Sequence, residues 1–433
     1  MDQLPLELLQ RVFTHLDVET LRNVALSCRT FFDAFKAAEE LITGEALLRQ
    51  VNYDVLPEAI LVSKSRNLGK PSVSKGIKFA ENLRHREPAP TRWKLADALP
   101  LAQFHSKVTY LAKQAADEAL QKQPRLLAKG EPAAPTCEEM YRFERALYRF
   151  QLYCNVVGHL FPVEEEELQD IFFDHFATWE LEQLACIFEH LVRVVSRPFN
   201  YLVEHDVTWG YLRVPYIDPY HLDDAQYILA EGVEVIYRLS QASGYTQWHA
   251  LLSRGEDMFD EPFGLAFFLT EGLGRPANPF MMPLVSLSEM DEEEKELVVN
   301  KPFYRDPDPG PASMWEWVYR DHIPSELVAN SDMAVHRQWA FPFWNSSRLM
   351  AAGLLGDLEI PGPRNPNDPE LEKYNTPARQ EFLEETRRER TDIWKRGGYG
   401  YWSHNDLSQV KWRDNDPPQV FSSHTYRGIY KVF

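Results

Sequence analysis

The chain opens on an apolar pattern of helical period. Leu8, Leu9, Val12, Phe13 and Leu16 recur at three- and four-residue spacing. Together with Leu6 they span roughly 160° of a helix, wider than the ~100° that one buried face needs. Pro5 stands where a helix begins, and there its missing N–H costs no hydrogen bond. Asp17 reads as the N-cap of a second helix whose apolar face is Leu21, Val24, Ala25 and Cys28. Thr30 with Asp33 resembles a capping box for a third helix, in which Phe31, Phe32, Phe35, Leu41 and Ile42 point several ways. Three short helices bury too little surface to be comfortably stable alone. Their surplus apolar side chains therefore need another surface, and periodicity leaves open whether that is the rest of the chain or a partner. At roughly 1.5–3 kcal/mol per buried Leu, Val or Phe, four or five of them support firm binding.

Further along, the helical period returns with different flanks. Leu101, Phe104, Val108 and Leu111 predict a helix running to about Lys122. Thr136 and Glu139 form a capping-box pair ahead of Met140, Phe143, Leu147, Phe150 and Cys154. Leu181, Leu184, Phe188, Leu191 and Val195 mark another long helix after Thr178-Trp179, and two more are expected at 222–242 and 260–270. The stretch 275–345 is rich in proline and aromatics and reads as irregular structure with short helices. From Asn365 to Lys395 the chain is charged and helical in pattern, and then comes a Gly- and Trp-rich run, Gly397–Trp412. The expected fold is mainly α: a three-helix module at 1–50, a basic linker or loop at 51–98, and a large irregular helical domain at 99–433 that divides, if anywhere, near residue 275. No Leu-rich repeat period and no propeller signature occurs, so no repeat architecture is expected.

Charge and composition narrow the class. The 433 residues include 11 Trp, 19 Tyr and 25 Phe, enough aromatic volume for a large core. The formal net charge of -19 argues against general binding to nucleic acid or to an anionic membrane. Locally the sign reverses: Lys64, Arg66, Lys70, Lys75, Lys78, Arg84, Arg86, Arg92 and Lys94 face only Glu81 and Glu87, which underlies the reading of an exposed linker. Cys28, Cys137, Cys154 and Cys186 have no paired spacing, so neither a disulfide framework nor a zinc site is expected. Cys28 and Cys154 fall on apolar helix faces, where cysteine acts as a small hydrophobe. With no secretory signal and no spanning apolar run, the expected location is the cytoplasm, the nucleus or both.

Motifs for chemistry are missing. No nucleophile elbow, zinc-protease helix, P-loop or dinucleotide fingerprint occurs, and Gly272-Leu273-Gly274 runs into Arg275-Pro276. His175, His190 and His205 have carboxylate neighbours of the kind any Glu-rich helix supplies. Glu164–Glu167 and Asp291–Glu294 read as solvated faces or loop. No catalytic residue, metal ligand or cofactor is therefore expected. Two features suit a bound target. One is the basic cluster of Arg387 and Arg388 with Arg390, Lys395 and Arg396, for which ion pairing with Glu381, Glu384, Glu385 and Glu389 is the simpler account. The other is the group Tyr399, Tyr401, Trp402 and Trp412 beside Gly397, Gly398 and Gly400, for which packing of a terminal segment is the simpler account.

The opening residues, Leu4-Pro5-Leu6-Glu7-Leu8-Leu9, Val12-Phe13, Leu16-Asp17, Leu21, Val24-Ala25 and Ser27-Cys28-Arg29 with Phe31, Phe32 and Phe35 behind, resemble an F-box. That is the helical module that joins the Skp adaptor of cullin-based (SCF) ubiquitin ligases. The resemblance implies that Leu4, Pro5, Leu8, Leu9, Phe13, Leu21, Cys28 and Arg29 lie at or near the adaptor contact, and that Val12, Leu16, Val24 and Ala25 form the module's own core. It departs from the family where Phe31 and Phe32 replace a frequent Trp, and where Leu41-Ile42 replace a terminal Leu-Trp. The remainder is similar, more loosely, to orphan F-box proteins common in filamentous fungi, in runs such as Arg142–Tyr153, Phe341–Leu349 and Gly397–Trp402. The implied function is substrate receptor of an SCF ligase, with the adaptor, through it a cullin, and an unknown protein substrate as partners. An adaptor-bound protein with a structural or trafficking role and an enzyme fused to an F-box are the alternatives.

Overall fold

A computed structural model describes residues 4–68, 73–84, 90–123, 133–157, 166–218, 223–252, 285–299, 301–355 and 369–413. The expected helix at 260–270, the possible division near 275 and the Gly272–Gly274 turn lie outside the described residues.

Helices dominate, as the pattern predicts. The first three are α1 (Leu6–Phe13), α2 (Val18–Ala25) and α3 (Arg29–Lys36), followed by α4 (Glu39–Gln50), α5 (Leu56–Ser65) and α6 (Val73–Glu81). Next come α7 (Leu95–Lys122), α8 (Cys137–Val156), α9 (Glu166–Phe173), α10 (Thr178–His205) and α11 (Val207–Leu212). Then follow α12 (Asp223–Ala230), α13 (Val233–Gln241) and α14 (Gly244–Leu252). Beyond them, 285–355 alternates short α and 3₁₀ turns, and the long helix Pro377–Lys395 leads into a hairpin of β1 (Gly398–Gly400) and β2 (Val410–Trp412). Its register pairs Gly398 with Trp412, Tyr399 with Lys411 and Gly400 with Val410. The Gly- and Trp-rich run thus forms a small antiparallel sheet.

The core is organised around α8, which packs against α5, α7 and α10. Its capping box forms as expected: the Glu139 N–H donates to Thr136 Oγ1 at 3.3 Å, and the Thr136 N–H donates to Glu139 Oε2 at 2.9 Å. Apolar spacing predicts one buried seam on this helix. Instead every residue from Arg142 to Cys154 is buried, and each of the three arginines among them has a carboxylate partner. Arg142 grips Asp306 through two parallel bonds of 2.7 and 2.8 Å and donates to the Phe343 carbonyl at 2.9 Å. Arg145 shares the same carboxylate at 3.2 Å and lies over the Tyr304 ring, 3.8 Å from its centroid. Arg149 donates to Glu180 at 2.7 Å. Burial pushes the Asp306 carboxyl up, but hydrogen bonds and charge from Arg142, with Arg145 beside it, outweigh burial and hold it below its ordinary value.

Two expectations change in this frame. The stretch 51–98 contains α5, α6 and the start of α7, with Leu56, Glu58, Ala59 and Val62 buried against the body. Its described parts are no free linker, because apolar residues between the lysines anchor them and leave the described cations at the surface. The predicted helix at 222–242 is two helices, α12 and α13, broken at Gly232 with φ of +82°. A Cβ there would lie 2.4 Å from Gln151 Oε1, which accepts the Val233 N–H at 2.8 Å. Only glycine allows both the backbone turn and that close approach.

Candidate adaptor-binding surface

The N-terminal module is built on two helix caps and one shared core. Pro5 precedes α1, and its carbonyl accepts the Leu9 N–H at 3.1 Å. Asp17 caps α2 as predicted, accepting the Thr20 N–H at 2.8 Å and the Thr20 hydroxyl at 2.6 Å. These two bonds, side chain first, hold the Asp17 carboxyl below its ordinary value. The capping box expected at Thr30 and Asp33 does not form: α3 begins at Arg29 with Cys28 at its N-cap, and no side chain caps it. Cys28 is exposed there, not tucked into an apolar face. Arg29 and Asp33 instead make an exposed i,i+4 pair at 3.7 Å.

Inside the module, Leu9 and Phe13 of α1 are 3% and 1% exposed. The Phe13 ring meets Phe31 edge-on at 5.8 Å between centroids, and Gln10 donates to the Ala34 carbonyl at 3.0 Å, which together lock α1 onto α3. Leu21 and Ala25 are buried with them, while Leu16 and Val24 are half-buried. The far side of α2 and the length of α4 rest on α7. Gln50 ties the three together, accepting the Val18 N–H at 3.3 Å and donating to Ser106 Oγ at 3.3 Å. Gln103 of α7 adds a 2.7 Å bond to Glu19. The Gly44 backbone comes so close to residue 91 that a Cβ would lie 2.3 Å from the Thr91 carbonyl oxygen. The module is therefore fixed to the body along α2 and α4.

One face remains outside this packing. Leu4, Leu8 and Val12, four residues apart, are 40%, 50% and 41% exposed, and Leu6, on another side of α1, is 46% exposed. Apolar side chains left outward at three such spaced positions are more than the scattered exposure that ordinary surfaces show. Leu26, Phe32 and Leu41 are also exposed on the module. Burial thus sorts the expected residues differently from the resemblance. Leu9, Phe13 and Leu21, expected at or near the contact, are core residues; Val12, expected in the core, points outward. Leu4, Pro5, Leu8, Cys28 and Arg29 are exposed, as a contact requires. The rotation of the inward face on α1 follows from which side meets α3, and that only tertiary packing sets. Leu6 was visible in the apolar stripe, whereas Leu26 and Phe32 carry no separating signal in the sequence.

The second expected cluster is taken up largely by the fold. Arg387 donates to the Val214 carbonyl at 2.8 Å and pairs with Glu384. Arg390 is buried, donating to the carbonyls of Val203 and Asp206, with Trp402 stacked beneath it at 5.6 Å. Tyr401 is half-buried between His205 and Tyr245, whose ring centroids lie 5.3 and 5.2 Å away. Of the five residues expected to hold a target, Arg388 and Tyr399 are exposed. Among the described residues no group of three His, Cys, Asp or Glu could hold a metal ion, and no helix is long and apolar enough to cross a membrane.

An outward apolar helix on a small module, rigidly seated on a larger body, is the geometry of a protein-docking unit. Comparison with known families gives the same module a name: residues 1–38 match the F-box-like family. The chain carries an F-box-like domain, and F-box domains as a class bind Skp adaptors. The match stops at Ala38, the N-cap residue of α4. No curated protein and no solved structure matches the chain.

Proposed function

We propose that the chain is the substrate-receptor subunit of an SCF-type ubiquitin ligase. Its F-box-like domain holds the Skp adaptor, and the helical body holds a protein target. The observation that carries the adaptor half is the exposed Leu4–Leu8–Val12 stripe on a module that matches the F-box-like family. Burying three such side chains at roughly 1.5–3 kcal/mol each, with the exposed apolar residues around them, contributes to stable association after the cost of binding is met. The receptor performs no chemistry of its own: it raises the effective concentration of target lysines near the ubiquitin-charged enzyme. The seating of α2 and α4 on α7 supports such a role, since a fixed adaptor-to-body geometry is what a proximity mechanism needs. The cytoplasm and nucleus are the compartments this role requires.

Affinity purification from cells with the intact chain, beside one carrying Leu8→Glu and Val12→Glu, tests the reading. Adaptor and cullin should come down with the intact chain and be lost from the variant. Recovery of adaptor without cullin transfers the chain to a non-ligase role. Equal adaptor recovery by both proteins removes the assigned surface.

A further inference from the structure

The end of the helix Pro377–Lys395 runs against the charge of the whole molecule. The chain carries a net -19, yet Arg388, Lys395, Arg396, Lys411 and Arg413 are all exposed here. Among the described residues none of these five has a carboxylate partner; Arg396 Nε reaches only the Asp392 carbonyl, at 3.2 Å. Among the described residues the nearby acids are otherwise engaged or few: Glu389 faces His404 at 3.7 Å, Asp406 accepts the Ser408 N–H at 2.9 Å, and Asp392 shares the helix surface. Lys395 and Arg396 complement the dipole at the helix C-terminus. That account does not reach Lys411 and Arg413, which belong to the hairpin and its continuation.

The hairpin register sets aromatic rings among these cations. Tyr399 pairs with Lys411, and diagonally across it the Arg413 guanidinium lies 5.6 Å from the Tyr399 ring centroid. Arg396 lies 5.6 Å from the Trp412 ring. Tyr399 and Trp412 are themselves 37% and 47% exposed. A guanidinium held on a ring face is oriented at little entropic cost and keeps its N–H edges for an anion. The Arg413 N–H donates to the Gly397 carbonyl at 3.1 Å. With that pair bonded, alternation along an antiparallel ladder turns the Trp412 N–H and carbonyl toward the outer edge of β2, which among the described residues no strand pairs. Behind this edge, Val410 is buried with Ile393, Trp394 and Trp402, so the support is rigid.

We propose that the edge of β2 left unpaired among the described residues binds an extended acidic peptide segment, its acidic groups on Lys411 and Arg413 and its backbone along Trp412. The proposal rests on the reading of the chain as a receptor and names the kind of target it takes. Carboxylates and phosphoryl groups meet these cations by the same chemistry.

The test is fluorescence anisotropy on the full chain. The probes are a labelled peptide of alternating Val and Glu, its phosphoserine and Gln counterparts, and a single-stranded oligonucleotide. The Glu or phosphoserine peptide should bind and the Gln peptide should not; the tighter of the two acidic forms identifies the source of the charge. Lys411→Glu with Arg413→Glu should weaken binding at least about tenfold, while Arg49→Glu on α4 should leave it unchanged. Trp412→Ala, a neutral change at the same edge, should also weaken it, and unfolding midpoints must match for all variants. Equal binding of the Gln peptide, an unaffected double charge reversal, or tighter binding of the oligonucleotide overturns the proposal. Adaptor capture by the same preparations separates the two readings. Peptide binding without adaptor capture sinks the receptor role and leaves the edge as a peptide site; adaptor capture without peptide binding does the reverse.

Discussion

α1 and α8 invert the usual relation between side-chain type and burial. α1 shows leucines to the outside, and α8 carries three arginines and Glu144 into the core. In α8 each charge has its answer within the chain: Asp306 for Arg142 and Arg145, Glu180 for Arg149, the Thr109 hydroxyl for Glu144 at 3.0 Å. In α1 the exposed stripe has no such answer. An unfavourable placement that the fold itself resolves concerns stability, whereas one the fold leaves open points to something outside it.

The comparison breaks most sharply at Asp306. Asp306→Ala leaves Arg142 and Arg145 buried without their shared carboxylate and should lower stability by about 3–5 kcal/mol, read from the urea unfolding midpoint. A loss within 0.5 kcal/mol on that scale, typical of surface sites, would mean that α8 is not the charged core described above (an order-of-magnitude bound, ~0.5 kcal/mol). Glu144 sharpens the same side through pH. Burial pushes its carboxyl up to about 7, against the Thr109 hydrogen bond and the Arg145 charge. The folded value lies above the ordinary one, so its stabilising contribution is complete below the ordinary value and is lost as pH rises through about 7. Glu144→Gln keeps an acceptor for Thr109. It should stabilise the protein by on the order of 2–3 kcal/mol at about pH 8 and change little near pH 4, in paired denaturation curves.

On α1 the expected signature is the opposite one. Leu8→Ala should cost about 2 kcal/mol of adaptor affinity by calorimetry while leaving the unfolding midpoint nearly unchanged. Phe13→Ala, one and a half turns away but buried, should instead reduce folding stability first. If the two behave alike, the division of α1 into an outer and an inner face fails. The smallest effect is expected at a purely local feature. Asp17→Ala removes the cap of α2 and should lower stability by about 1 kcal/mol, measured by thermal unfolding.

Local rules carried the reading wherever the deciding partners were close in sequence. The Asp17 cap, the Thr136–Glu139 capping box, the helical period of α7 and α10 and the F-box-like opening all depend on residues within a few positions of one another, which is why they could be read directly. One local reading failed, the Thr30–Asp33 capping box, because α3 already begins at Arg29 with Cys28 at its N-cap; the other failures share the opposite property. Whether Val12 or Leu9 faces the core depends on where α3 lies. Whether 51–98 is a linker depends on α8, to which α5 binds. The apolar seam of α8 carries no sign that Arg142 and Arg145 are buried; that is decided by Asp306, 164 positions from Arg142, which closes on both. Sequence by itself thus determined the helical class, the caps and the identity of the N-terminal module. Only the tertiary structure decided which faces are inside, because burial of a charge or exposure of a leucine is set by partners that the chain brings together from far apart.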